Sequence, residues 1–234
     1  MSLKTFWEQP PLHVCIHNFL PDTFDYSEVE ALSRRLESLD VAELTEKEMR
    51  GWSIHDQIGA KQATLATLRA LYEVVDRLCS HIGAVCGCEC RSSGGSLKVR
   101  PYARGVITRT HTDMTYNEDD DYLERRIFIS LTDASQLTLV DAQDSFMRLQ
   151  EKLKGYSPIS GLLPSDAFNL RDCADTRRGS AVVFDTAAVH AAPAHDDWRI
   201  VGEFGYRISA TVDVATERRA LCSFPFAAET SQSV

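Results

Sequence analysis

A mainly β fold with helices packed on its outside is predicted by three features of this 234-residue chain. From residue 96 on, six short runs (SLKVRPY, GVITRTHTDM, RRIFISLTD, QLTLVDA, GSAVVFDT and GYRISATVDV) are rich in β-branched and aromatic residues and bounded by Gly, Asp or Pro. Such residues suit a pleated, half-buried surface. Ahead of these runs the apolar residues recur every three or four positions, the period of a helix face. One long interruption, residues 141–178, divides the β-rich part. Together these features predict an antiparallel β-sandwich or jelly roll with its helices outside, in the mainly β, α+β class.

Taken in order, HVCIHNFLP reads as a short strand carrying Val14 and Ile16 and ending at Pro21. A helix follows, with Val29, Leu32, Leu36 and Leu39 on one side. Residues 61–82 give the clearest helix: Leu65, Leu68, Leu71, Tyr72, Val75, Leu78, Cys79 and Ile82 form one apolar stripe, expected to lie on a sheet. Inside the interruption, DSFMRLQEKLKG places Phe146, Leu149 and Leu153 on one helical face, with Gly155 as its stop. The remainder, up to residue 178, is loop-like, and loops of that length are commonly lids or binding elements. The expected organisation is a single domain over 1–234. It comprises a helical support at about 22–85, a β core at about 96–226 and a lid-like insertion at about 141–178.

Composition narrows the function classes. The chain has 34 acidic against 25 basic residues, a formal charge of −9, which argues against a partner held through nucleic-acid phosphates. The opening MSLKTFWEQPPLHV has no apolar signal-peptide core, and no run is long enough to span a bilayer, so a cytoplasmic protein without membrane contact is expected. Seven cysteines, an odd number, do not suit a secreted disulfide framework. Cys86, Cys88 and Cys90 lack the two-residue gap of most zinc knuckles and read as free thiols of a reducing compartment. The acidic run from Asn117 to Asp121 reads as a solvated loop, with selection of a cationic substrate as the sharper alternative.

The chemistry concentrates in RTHTDMTY, residues 109–116. In an extended segment His111 and Asp113 project to one side and Thr112 to the other. A second His-x-Asp pair, His195 and Asp197, lies in a turn-like run with no histidine after it. The first pair has histidines downstream, and His190, closing the run RGSAVVFDTAAVH, is the candidate third ligand. Two histidines and one carboxylate on one face of a metal, with the other positions open, is the donor set of non-haem Fe(II) oxygenases.

Tyr102, Gly105, His111 and Asp113 in the pattern Y-x-x-G-x5-H-x-D, then RRIFISL, then GSAVVF-x5-H-x-x-P, then GYRIS, resemble the Fe(II)/2-oxoglutarate-dependent dioxygenases, particularly the prolyl-4-hydroxylase-like branch. HVCIHNFLP is similar to that branch's entry strand, so the resemblance runs from about residue 13 to 213. It implies a double-stranded β-helix (jelly-roll, cupin-like) core, with His111, Asp113 and His190 as iron ligands and with 2-oxoglutarate and O₂ as cosubstrates. The far carboxylate of 2-oxoglutarate calls for the planar fork of an arginine. Arg199 lies nine residues beyond His190, near the family's usual spacing; Arg207 lies seventeen beyond it. Arg207 shares a strand face with Ser209, and this Arg-x-Ser pair matches the family's anchor. Arg207 is therefore the expected anchor and Arg199 the alternative, with HDDWRIV read as a loop insertion. Tyr102 is expected to add a phenol hydrogen bond to the same carboxylate, against a role as a packing aromatic. Arg109, on the face of His111, and Trp198, near the pocket mouth, are expected to touch substrate, against outward-facing and packing roles. Family members that halogenate have a small residue at the carboxylate position; Asp113 favours hydroxylation, or a related desaturation or cyclisation.

The expected activity is oxygenation of a small molecule, a free amino acid or natural-product intermediate, with 2-oxoglutarate converted to succinate. Its rivals are hydroxylation of a protein or peptide, and a non-catalytic cupin-like binding protein.

Overall fold

The computed structural model describes residues 7–37, 64–101, 110–117, 119–133, 138–154, 168–172, 177–191 and 198–225. In chain order the elements are β1 (His13–Ile16), α1 (Ser27–Glu37), α2 (Leu65–Cys86), β2 (Cys90–Pro101), β3 (Tyr122–Ser130), β4 (Leu139–Val140), α3 (Phe146–Leu153), β5 (Arg171–Asp172), β6 (Ala181–Asp185), β7 (His190–Ala191), β8 (Trp198–Ser209) and α4 (Val214–Ser223). Two antiparallel sheets result, one of five strands in the order β1-β6-β3-β8-β2 and one of three in the order β5-β4-β7. This is the mainly β, jelly-roll arrangement with flanking helices that the residue pattern predicts.

Alternation along the strands separates the two faces of the large sheet. Leu123, Ile127 and Ile129 of β3, Ala181 and Val183 of β6, and Ile200, Phe204, Tyr206 and Ile208 of β8 join one core with the helices. Of the expected stripe of α2, Leu71, Val75, Leu78, Cys79 and Ile82 are buried in it and Leu68 and Tyr72 partly so, whereas Leu65, in the first turn, is 56% exposed. Each such leucine contributes about 1.5–3 kcal/mol by leaving water. The opposite face carries Phe128, Val182, Phe184 and Val201, which pack on Val140 of the small sheet and on Ala188. The second cluster therefore lies between the sheets, beside the candidate site.

Close approach fixes one glycine. A Cβ on Gly95 would collide with the ring of Phe204. That ring is held edge-on by Tyr72 of α2 at 5.1 Å, whose hydroxyl bonds Gly95 through both its carbonyl (2.9 Å) and its N–H (3.0 Å).

Several elements differ from expectation. The long helix runs to Cys86, where Gly87 in the left-handed conformation (φ 64°) ends it. Cys86, Cys88 and Cys90 thus span the end of that helix, the turn and the first residue of β2, half-buried against the core as free thiols. WRIV is not part of a loop insertion: it forms the first four residues of β8, so Arg199 and Arg207 lie on one continuous strand. The run ATVDV is not strand; β8 stops at Ser209 and Asp213 caps α4. Within 141–178, the helix is α3 and a two-residue strand, β5, follows; 155–167 and 173–176 lie outside the described residues, as does Leu39. No helix among the described residues is long and apolar enough to cross a membrane.

Candidate metal centre

His111 and Asp113 do not sit in a regular strand. The segment touches the small sheet through one bridge, in which the N–H of His111 donates to the carbonyl of His190 and the reverse, both at 2.9 Å. Beyond it, the N–H groups of Asp113 and Met114 both donate to the carbonyl of Thr186 at 3.1 Å, which bends the chain out of the ladder. The turn after β6 therefore holds both halves of the site: Thr186 takes the Asp113 segment, and His190 opens β7 four residues later.

Tyr116 locks this arrangement. Its hydroxyl donates to the Glu124 carbonyl (2.6 Å), lies 2.6 Å from Thr186 Oγ1 and accepts from the Glu124 N–H. Gln150 of α3 donates to the Tyr116 carbonyl at 2.5 Å, tying the insertion's helix to the ligand-bearing segment.

Nitrogen and oxygen donors of His111, Asp113 and His190 lie within 4.8 Å of one another. His111 Nε2 is 3.6 Å from Asp113 Oδ1, and His190 Nε2 is 4.0 Å from Asp113 Oδ2. His190 Nδ1 lies 3.0 Å from the Ala188 carbonyl, which fixes the ring so that Nε2 points at the carboxylate. Phe184 packs on that ring with centroids 4.7 Å apart, and the two imidazoles are 4.3 Å apart.

The electrostatics suit ligands. Burial, then the nearby His111, push the His190 imidazole down to about 4 against the pull of Asp113, so it is neutral and able to donate a lone pair at neutral pH. Burial alone would raise the Asp113 carboxyl. The interactions with the His190 imidazole, the Arg126 guanidinium and the His111 imidazole outweigh it and hold the carboxyl below its ordinary value of 3.8. A charged carboxylate beside two imidazoles, with their Nε2 atoms turned inward, fits a divalent ion of the Fe(II) type.

Arg126 was not singled out by sequence reasoning. Its Nε donates to Asp113 Oδ2 at 2.9 Å, and its Nη1 is 3.9 Å from Glu203. The dipeptide Arg125-Arg126 carried a signal, since neighbours on a strand face opposite ways. Arg125 enters the helix-side core, pairing with Asp185 and bonding Glu217 through Nε (3.0 Å) and Nη2 (2.7 Å), all three fully buried. Arg126 turns to the metal side.

Of the other expected residues, Arg199, Arg207 and Ser209 all lie on β8. Arg207 is 61% exposed in its side chain and pairs loosely with Glu124 at 3.7 Å. Ser209 Oγ is 2.9 Å from Thr211 Oγ1, in the turn after β8. Arg199 is only 3% exposed. By strand alternation it shares the face of Val201, whose neighbours lie between the two sheets. Tyr102, Arg109, His195 and Asp197 lie outside the described residues, and Trp198 enters only as the first backbone position of β8.

Two histidines and one carboxylate inside an antiparallel jelly roll thus define a candidate mononuclear metal centre. No family model and no curated protein matches the chain. Solved structures similar to it include AviO1 from Streptomyces viridochromogenes Tue57, 16% identical, covering 88% of this chain and 92% of that one at a TM-score of 0.47. The non-heme alpha ketoglutarate dependent epimerase SnoN from nogalamycin biosynthesis is 14% identical, with 88% and 80% covered and a TM-score of 0.47. A prolyl-4-hydroxylase from Pseudomonas putida is 16% identical, with 88% and 96% covered and a TM-score of 0.43.

Proposed function

We propose that the chain is an Fe(II)- and 2-oxoglutarate-dependent oxygenase that hydroxylates an unactivated C–H bond of a small molecule, such as a free amino acid or natural-product intermediate. The observation that carries this reading is the convergence of His111, Asp113 and His190 to within 4.8 Å, from segments joined by a backbone bridge. Bound Fe(II), with 2-oxoglutarate and O₂, supplies an oxidant able to attack such a bond while releasing succinate and CO₂.

The chain's own groups have distinct tasks. His111 and His190 offer their Nε2 atoms and Asp113 its carboxylate as ligands. Arg199, rather than Arg207, takes the far carboxylate of 2-oxoglutarate. It is buried on the inner face of β8, where a guanidinium fork acts without competition from water, whereas Arg207 is solvated and faces Glu124. Phe128, Val182, Phe184 and Val201 keep water from that side of the site.

Anaerobic loading with Fe(II), followed by succinate measurement in air across a panel of small metabolites, tests this. The expected result is succinate formation that needs both iron and 2-oxoglutarate and is stimulated by at least one metabolite. His111→Ala should abolish stoichiometric iron binding while the protein stays folded. No succinate under any condition, or iron retained by that variant, would overturn the assignment.

A further inference from the structure

We infer that Arg126 is a positioning residue that confines Asp113 to one metal-facing oxygen, so that a bound ion keeps an additional coordination position for exchangeable ligands. The inference rests on the function proposed above.

Asp113 offers two oxygens of unequal freedom. Oδ1 lies 3.6 Å from His111 Nε2. Oδ2 accepts a charge-assisted hydrogen bond from Arg126 Nε at 2.9 Å and is 4.0 Å from His190 Nε2. A carboxylate that chelates an ion through both oxygens must turn both toward it, which the Arg126 bond opposes. The guanidinium fork is rigid and permanently charged, so it resists following such a rotation.

The fork itself is held. Arg126 lies in β3 between Gly205 of β8 and Phe184 of β6, paired on both sides. Gly205 brings no side chain to that register, and Glu203 stands 3.9 Å from Arg126 Nη1. The Arg126 and Asp113 side chains are 29% and 20% exposed, so the bond sits at the rim of the site. An ion pair between two loops would lack this two-sided strand pairing.

The consequence is a count of water. An octahedral ion held by two imidazoles and one carboxylate oxygen retains about three positions for water, and by a chelating carboxylate about two. Mn(II) loaded into the protein reports this count through its enhancement of water-proton relaxation. Wild-type protein should show about three inner-sphere waters, falling to about one when 2-oxoglutarate is added. Arg126→Met should lose about a third of the enhancement per bound Mn(II), and with 2-oxoglutarate fall to the outer-sphere level. Equal enhancement in wild type and Arg126→Met, in both states, would overturn the inference. So would about two waters in the wild type itself, a readout that holds even if the variant fails to fold. Failure of the underlying function looks different: 2-oxoglutarate would leave the wild-type enhancement unchanged.

Discussion

Arg199 and Arg207 occupy the same strand in opposite environments, and that difference makes a sharp prediction. A charge-assisted hydrogen bond in a shielded site contributes about 1.5–3 kcal/mol. Arg199→Ala should therefore raise the 2-oxoglutarate concentration needed for half-maximal succinate formation by roughly tenfold to a hundredfold. Arg207→Ala, removing a guanidinium that is 61% exposed, should change it by less than about threefold. The reverse order would return the anchor to the Arg-x-Ser pair. At this level much of the site was legible: His111 and Asp113 are two apart, and His190 closes an apolar strand run. The choice between the two arginines was not legible, because Arg-x-Ser is a short pattern and the burial of Arg199 is not written in it. Arg126 stayed hidden because Arg-Arg does not say which guanidinium faces the ligands until the register of β3 is known.

Helix α4 shows how an element can be misread. ATVDV is β-branched and looks like strand, but Asp213 stops the extended chain, its carboxylate accepting from the Thr216 N–H (2.9 Å) and the Thr216 hydroxyl (2.5 Å). Loss of such a cap costs about 1 kcal/mol, so Asp213→Ala should lower the urea midpoint correspondingly, and Asp213→Ser should restore most of it. These Thr216 hydrogen bonds hold the Asp213 carboxyl below its ordinary value of 3.8. Its contribution is thus complete above 3.8 and is lost as pH falls through the lower folded value, so wild type and Asp213→Ala should converge in stability under acid. Convergence at alkaline pH instead would refute the cap. The strands were easier to see than their ends: β2 begins at Cys90, well before SLKVRPY, because pairing with β8 extends across the irregularity between Ser92 and Gly94.

Across the molecule, one buried charge group ties the helices to the sheet. Arg125 of β3 meets Asp185 at the end of β6 and Glu217 of α4, and Tyr206 of β8 donates to Glu217 at 2.7 Å. Arg125→Met would strand two carboxylates in the core and should destabilise the fold by about 3–5 kcal/mol. Adding Glu217→Leu should recover part of that loss, because one orphaned charge is gone. Urea unfolding of the single and double variants checks both; a double variant no more stable than the single would show that Glu217 is not the source of the penalty. Nothing in the sequence announced this group, whose members Arg125 and Glu217 are separated by 92 positions.

The reciprocal backbone bridge between His111 and His190 carries a last consequence. Main-chain amides, which no substitution other than proline deletes, set the separation of the two imidazole-bearing positions, so their spacing is a property of the peptide ladder rather than of its cargo. Capture and release of the ion should then resemble docking into a rigid socket, fast and reversible, and chelator treatment should leave amide exchange at these two positions as slow as before.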